Sequence, residues 1–287
     1  MPTSAQPMIG LDIGGANLKA WHASGKAIHE SFALWKSPEL LTSRLRGLLD
    51  SMPPAERVLV TMTGELADCY ATKREGVTAI CQAVVEATGS WSPVAQVEFW
   101  QTTGGFVDQA RAIAEPLLTA ASNWHALASM TGVLFPHDDL LLMDIGSTTT
   151  DLIPVNRGRV AAFGRTDLTR LAAGELVYTG VRRTSLCAVL PVFEGELAAL
   201  GRVSIPVSSE LFATSQDVHL LLGHLEEDAS FCETADGRPA TKAYAAARIA
   251  RQWCSDDLEL TPADVRSLAE AAAASQLAQI TQAAQRV

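Results

Sequence analysis

Apolar runs of strand length end in the same tripeptide, Asp-Ile-Gly, at two places in the chain. Residues 7–15 read PMIGLDIGG, and residues 138–146 read DDLLLMDIG. A short apolar run that stops at glycine is typical of a buried strand followed by a turn. Two further strands are predicted after the first turn (17–25 and 27–35) and two after the second (147–155 and 158–164). The same succession of three strands is therefore predicted twice.

Helical patterns follow each set of strands. The segment 37–52 has Ser37 at an N-cap position and Pro38 at the first helical position, which predicts a helix start. Mostly helical structure is predicted for 65–89 and 106–135, helices for 239–254 and 261–287, strands for 57–64 and 97–105, a short helix and loop for 166–180, and mixed strand and loop for 181–215.

The two Asp-Ile-Gly turns are separated by the length of a domain. Asp12 and Asp144 are 132 positions apart, which is too long for a solenoid repeat and suits two copies of one domain. We predict an α/β protein with a first domain at 1–136 and a second at 137–287. The Ala-rich C-terminal helix (268–285) is expected to be structural and to pack back on the first domain.

Composition and charge narrow the class of protein. Of 287 residues, 48% are hydrophobic and 19% charged, which indicates a globular chain. The net charge of −10 disfavours a nucleic-acid partner. No segment has the character of a signal peptide or a membrane span. Five cysteines without a CxxC pair indicate thiols in a reducing compartment, so a cytoplasmic location is expected; homo-oligomerisation is left open.

The residues around both turns suit phosphate binding. Glycines let backbone N–H groups approach phosphate oxygens, and an aspartate at the strand end can hold a hydrated Mg²⁺. The alternative is that each aspartate merely caps a turn, but two copies in the same setting favour phosphate. The candidate phosphate-binding residues are Gly14, Gly15, Asn17, Gly146, Ser147, Thr148 and Thr149, with Lys19 as a catalytic cation and Asp12 and Asp144 as catalytic and metal-binding carboxylates.

These motifs carry a family resemblance. The stretches LDIGGANLKA and MDIGSTTTDL resemble the two phosphate loops of the actin, sugar kinase and Hsp70 superfamily. The blocks VTMTGELADC, ASNWHALA, GELVYTGVRRT, SSELFATSQDVHLLLG and TADGRPATK resemble more closely the hydantoinase/oxoprolinase-like proteins linked to tetrahydromethanopterin C1 transfer, which include methanofuran-biosynthesis synthases. The resemblance implies two actin-like (ribonuclease H-like) domains with a ligand in an interdomain cleft.

The resemblance also implies a reaction. A furanmethyl diphosphate would condense with a phenolic, tyramine-type amine to give an aryl ether and pyrophosphate, with Mg²⁺ as the cofactor. ATP is disfavoured because no Gly-Gly adenosine-binding turn occurs late in the chain. The alternatives are an ATP-dependent kinase or hydantoinase/oxoprolinase-like hydrolase, and a non-catalytic sensor. Motifs of serine hydrolases, P-loop NTPases and Rossmann dehydrogenases do not occur.

Further candidates have plain structural alternatives. Glu65 is a candidate general base for the phenol proton, or a charge that favours a helix N-terminus. Asn123 and Trp124 are candidate pocket residues, or part of a buried helix. Arg182 and Arg183 are a candidate fork for a phosphate or a substrate carboxylate, or a solvated pair. Thr63, in the block VTMTG, is assigned to substrate binding.

Overall fold

A computed structural model describes residues 7–287 and shows a mixed α/β protein with several sheets. The strands are β1 (Met8–Ile13), β2 (Asn17–His22), β3 (Ala27–Ser31), β4 (Arg57–Met62), β5 (Gln96–Gln101), β6 (Gly105–Val107), β7 (Asp139–Ile145), β8 (Thr150–Asn156), β9 (Arg159–Val160), β10 (Leu176–Val177), β11 (Val192–Leu197) and β12 (Gly201–Pro206). The helices are α1 (Leu41–Asp50), α2 (Lys73–Trp91), α3 (Gln109–Ala114), α4 (Pro116–Thr119), α5 (Asn123–Leu134), α6 (Asp167–Ala173), α7 (Leu186–Val189), α8 (Ser215–Leu222), α9 (Lys242–Arg251) and α10 (Pro262–Ala284).

Contacts divide the chain into two compact units. The first contains the described residues up to Leu140 together with Pro154–Arg170. The second contains Leu141–Ile153 together with Leu171–Val287. The backbone thus passes from one unit to the other three times, and the predicted boundary between residues 136 and 137 stays a prediction.

The first unit is built on a six-stranded sheet in the order β3-β2-β1-β4-β5-β6. Strands β1, β4 and β5 run parallel, and the other pairings are antiparallel. Because successive side chains of a strand point to opposite faces, Ile9, Leu11 and Ile13 of β1 are all buried while their neighbours are partly exposed. These residues join one apolar core with α1 and α2.

The strands predicted around the first turn are confirmed, but one helix begins later than predicted. The structure has α2 beginning at Lys73 and not at Glu65. Thr72 ends the preceding turn because its side chain accepts a hydrogen bond from the Glu75 N–H, which makes it the N-cap. The mostly helical structure predicted over 106–135 is confirmed, as three helices and not one. Pro116 and a left-handed Ala121 (φ 45°) divide that region into α3, α4 and α5.

The second unit combines a small sheet with a helical layer. Strands β10, β8 and β7 are neighbours in that order, and β11 and β12 form a separate hairpin. Strand β9 pairs with the end of β8 inside the segment Pro154–Arg170, which belongs to the first unit. Helix α10 packs on α8, α9 and β11 through a core that contains Leu268, Ala269 and Ala272. Packing of this helix on the first domain stays a prediction. Within the described chain, no helix combines the length and apolar character that crossing a membrane requires.

Replacing Thr261 with Ala should test the start of α10. The Thr261 side chain accepts from the Asp264 N–H, and the Asp264 carboxylate accepts from the Thr261 N–H at 2.9 Å. Loss of such a capping box is expected to lower the free energy of unfolding by about 1 kcal/mol in urea denaturation. Thr281→Ala, at an exposed position of the same helix, is the matched control and should be neutral or slightly stabilising. Equal effects of the two changes would contradict the capping argument.

Candidate functional site

The first Asp-Ile-Gly turn is a tight connection between β1 and β2. The Gly14 N–H donates to the Asn17 carbonyl oxygen at 2.9 Å, which closes the turn. A methyl group on Gly14 would lie 3.1 Å from that oxygen, whereas one on Gly15 would meet nothing within 4 Å. Gly15 therefore leaves open space beside the backbone, which is what close approach of a phosphate requires.

Asp12, at the end of β1, has two side-chain partners. Its carboxylate lies 3.3 Å from Lys19 Nζ on β2 and accepts from Thr61 Oγ1 on β4 at 3.2 Å. No three His, Cys, Asp or Glu side chains converge as a metal site among the residues that the structure describes. Mg²⁺ bound to substrate phosphates needs only one or two protein carboxylates, because waters and phosphate oxygens complete its shell. Asp12, whose side chain is 26% exposed and lies beside the Thr61 hydroxyl, fits that requirement.

The second turn repeats the local geometry of the first. The Gly146 N–H donates to the Thr149 carbonyl oxygen at 2.8 Å, the same residue spacing as between Gly14 and Asn17. A methyl group on Gly146 would lie 3.3 Å from that oxygen. Asp144 ends the preceding strand β7 and is exposed. The repeat found in the sequence is thus also a repeat of backbone hydrogen bonding.

A Thr-Gly pair supports each turn, a feature that we did not single out from the sequence. The Thr63 and Gly64 N–H groups both donate to the Ile13 carbonyl oxygen, at 2.8 and 3.0 Å. A methyl group on Gly180 would lie 2.5 Å from the Gly146 oxygen, so only glycine fits there. The signal was available, because TG follows an apolar stretch at 63–64 and again at 179–180. Gln276 of α10 holds the second pair by donating to Thr179 Oγ1 at 2.8 Å.

The two adjacent arginines lie beside the second turn. Arg183 Nε donates to Thr148 Oγ1 at 3.0 Å, and a second guanidinium nitrogen lies 3.4 Å from Ser147 Oγ. The backbone N–H groups of both arginines donate to the Ser147 carbonyl oxygen. The structure therefore brings four of the predicted residues together, and adds a positive charge to the hydroxyl-rich turn of an acidic protein.

Glu65 is fully buried in the first unit, at 1% exposure. Burial raises the pKa of its carboxyl above the usual value, and the nearby Lys73 ammonium opposes part of that rise. Lys73 itself is paired with Asp167 at 2.7 Å. The backbone of Glu65 fills the space beside Gly76, so no side chain fits at that glycine. A buried carboxyl with a raised pKa can serve as an acid or a base, but its role stays a prediction.

The raised pKa of Glu65 predicts a specific pH dependence of stability. The folded state holds the proton more tightly than the unfolded state, so the free energy of unfolding should fall as pH rises above the ordinary glutamate pKa, and level off above the raised folded pKa. Glu65→Gln removes this titration. The difference in unfolding free energy between Glu65→Gln and wild type, measured in urea from pH 4 to 8, should therefore grow in favour of the variant as pH rises. A difference that is constant with pH would contradict the assignment.

Asn123 and Trp124 begin helix α5. Asn123 Oδ1 accepts from the Trp124 N–H at 2.8 Å, and the Trp124 ring is 3% exposed with the Arg170 guanidinium 4.0 Å from its centre. The neighbouring His125 is also buried. Burial, with the charges of Arg165 and Arg170, lowers its pKa to about 4, so this ring is neutral at physiological pH. The contact of Asn123 and Trp124 with an aromatic substrate stays a prediction.

An apolar groove of about 850 Å³ lies on the first unit, and Asp12 is part of its wall. Trp21 and Phe106 supply aromatic surface, while Lys19 and Thr61 accompany Asp12 as polar groups. A mainly apolar cavity with a few polar groups is the usual form of a small-molecule site. The groove suits a ligand with a flat, apolar body and an anionic end.

The structure thus defines a mixed α/β protein in which two Asp-Ile-Gly turns share one backbone geometry. A protein-family model described as hydantoinase/oxoprolinase matches residues 57–287. With that match covering most of its length, the chain belongs to the hydantoinase/oxoprolinase family.

Two archaeal enzymes are similar to this chain, and both are named (4-{4-[2-(γ-L-glutamylamino)ethyl]phenoxymethyl}furan-2-yl)methanamine synthase. The one from Methanocaldococcus jannaschii is 37% identical over 254 residues, which cover 87% of this chain and 72% of the relative. The one from Methanococcus vannielii is 41% identical over 116 residues, which cover 40% of this chain and 50% of the relative.

Two solved structures are more distantly similar. The Aquifex aeolicus PPX-GPPA enzyme matches with 12% identity and a TM-score of 0.31, over 66% of this chain and 57% of that protein. An exopolyphosphatase-like protein matches with 12% identity and a TM-score of 0.36, over 98% and 90%.

Proposed function

We propose that this protein is a transferase that joins a furanmethyl diphosphate to a phenolic amine of the tyramine type, in the biosynthesis of a methanofuran-type cofactor. The observation that carries the proposal is the 37% identity, over 87% of the chain, to a synthase of a phenoxymethyl furan. The two glycine turns and the arginine beside the second support it, because they suit a diphosphate substrate.

The product name of that relative contains an ether between a phenol oxygen and a furanmethyl carbon. In the proposed reaction the carbon–oxygen bond to diphosphate breaks, and its electron pair leaves with pyrophosphate. The phenol oxygen forms the new bond to the same carbon and loses its proton. The furan ring stabilises positive charge at the methylene carbon, so the protein's main tasks are to position the two substrates and to stabilise the leaving group.

In this proposal each unit is an actin-like domain, and the glycine turn of each unit binds phosphate. Gly15 presents its backbone N–H group, while Ser147 and Thr148 present hydroxyls. The furan lies against the apolar groove, where Trp21 and Phe106 offer flat surface and Lys19 offers a charge. Asp12 or Asp144 would hold Mg²⁺, which would neutralise charge on the departing pyrophosphate. Glu65 does not line the apolar groove. The departing pyrophosphate can accept the phenol proton in its place.

The direct test is to incubate the purified protein with furanmethyl diphosphate, γ-glutamyltyramine and Mg²⁺. Ether formation, followed by mass spectrometry, should match pyrophosphate release in equal amounts. Pyrophosphate release without the ether would show a hydrolase and contradict the proposal.

A second function, ATP-dependent ring hydrolysis, is favoured by the description of the matching family as hydantoinase/oxoprolinase. Titration calorimetry with ATP–Mg²⁺ and with pyrophosphate–Mg²⁺ separates the two. The transferase should bind pyrophosphate more tightly. Tighter binding of ATP, together with ATP-dependent opening of 5-oxoproline or hydantoin, would favour the hydrolase.

A further inference from the structure

The second unit has a polar cavity of about 290 Å³, and no residue of either glycine turn lines it. Small-ligand pockets begin at roughly this size. Its wall has one cation, one aromatic ring, one buried amide and three carboxylates, namely Arg182, Phe231, Gln216, Glu226, Glu227 and Asp228. Groups of opposite charge in one small cavity suit a ligand that itself has both charges.

The cation of this cavity is well placed for an anionic group. The Arg182 guanidinium lies 5.5 Å from the centre of the Phe231 ring, a contact that orients its plane while leaving N–H groups available. The Arg182 N–H donates to the Ser147 carbonyl oxygen at 3.0 Å, so the cavity adjoins the second turn. The neighbouring Arg183 directs its guanidinium to Thr148 instead. Arg182 therefore lines the cavity, whereas Arg183 contacts the second turn.

The three carboxylates are not equivalent. Asp228 accepts hydrogen bonds from the side chain and backbone N–H of Ser230, which lower its pKa. Glu227 accepts from the Lys242 N–H at 2.7 Å, at the start of α9. The Glu226 side chain has no hydrogen-bond partner among residues 7–287. Of the three, Glu226 is the carboxylate available to a ligand cation.

We propose that this cavity binds the α-amino acid end of a γ-glutamyl acceptor, with the α-carboxylate on Arg182 and the α-ammonium on Glu226. The inference rests on the proposed function, since the acceptor's γ-glutamylamino group is part of the product name of the similar synthases. Phe231 packs against the glutamyl methylenes. The cavity adjoins the diphosphate-binding turn but is a separate subsite, which selects the acceptor.

The test measures binding of three acceptors in the absence of the diphosphate. They are γ-glutamyltyramine, glutaryltyramine, which lacks the ammonium, and 4-aminobutanoyltyramine, which lacks the carboxylate. Wild-type protein should bind each truncated compound on the order of 10- to 100-fold more weakly, because each loses a charge-assisted contact. Arg182→Met should bind γ-glutamyltyramine and 4-aminobutanoyltyramine alike. Glu226→Gln should bind γ-glutamyltyramine and glutaryltyramine alike.

Matched controls are Arg202→Met and Glu194→Gln, which change exposed residues of the β11–β12 hairpin and should keep the wild-type pattern. Equal affinity of wild type for all three compounds would overturn the inference, and so would a uniform loss in Arg182→Met. Failure of the proposed function is distinguishable. In that case γ-glutamyltyramine binds with the expected selectivity, but no ether forms when furanmethyl diphosphate is added. If instead tyramine and γ-glutamyltyramine react equally well, the transferase stands and the subsite is wrong.

Discussion

Asp12→Asn is expected to lower kcat/KM for ether formation on the order of 10²- to 10³-fold, with little change in the free energy of unfolding. The asparagine side chain has the same shape and can still accept from Thr61, so the end of β1 should keep its structure. It lacks the negative charge that balances Lys19 and that would hold Mg²⁺ at the diphosphate. Steady-state kinetics over a range of Mg²⁺ concentrations measures the effect.

Asp50→Asn is the matched control for this change. Asp50 is an exposed aspartate of the same unit, paired with Arg46 at the end of α1. It should keep wild-type kinetics. If Asp12→Asn also keeps them at every Mg²⁺ concentration, the first turn has no part in the chemistry, and the phosphate-binding interpretation of both turns is lost with it.

Arg248→Met is expected to have the largest effect on stability, a loss of about 3–5 kcal/mol in the free energy of unfolding. Arg248 is 0% exposed, and it donates to Asp217 at 2.8 Å and to Asp236 at 2.9 Å. Removing the guanidinium leaves the Asp217 carboxylate, which is 1% exposed, buried without its counter-charge, and this costs more than the loss of an ordinary contact. Asp217 also caps α8, so the start of that helix should loosen with it.

Urea denaturation followed by circular dichroism provides the measurement. Arg266→Met removes an exposed arginine that is paired with Glu270 within α10, and should cost no more than about 0.5 kcal/mol. In the double variant Arg248→Met with Asp217→Asn, part of the lost stability should return because one buried charge is gone. A loss in Arg248→Met as small as that in Arg266→Met would show that the buried cluster is not a stabilising ion pair.

The parts of the fold that the sequence predicted are those governed by local patterns. Strands β1, β2 and β4 bury alternate side chains, and Pro262 with Thr261 begins α10 as expected. The late start of α2 was missed because apolar spacing continues through 65–72, whereas the Thr72 cap decides where the helix begins. The β11–β12 hairpin falls in a region for which only mixed strand and loop was predicted.

In the candidate site, too, the local features were predicted from the sequence and the long-range contacts were not. The equivalence of the two turns follows from their sequence, and the structure confirms it in the bond from each glycine to the third residue beyond it. Contacts between distant segments had no sequence signal. Lys73 pairs with Asp167 across 94 positions, and Gln276 reaches Thr179 across 97. Such pairs depend on the tertiary fold, which brings distant segments together. The periodicity of apolar residues describes only local structure.

The three passages of the backbone between the units have a consequence for recombining this protein with its relatives. Gly132 of α5 and Gly158 of the β8–β9 turn approach so closely that neither has space for a side chain, and Arg170 covers the Trp124 ring. A fragment that stops at residue 136 would lack both of those later partners. A chimera joined at a single midpoint would combine one parent's Gly132 surface with the other parent's turn. Exchanges at 140/141, 153/154 and 170/171 together would keep each set of partners from one parent.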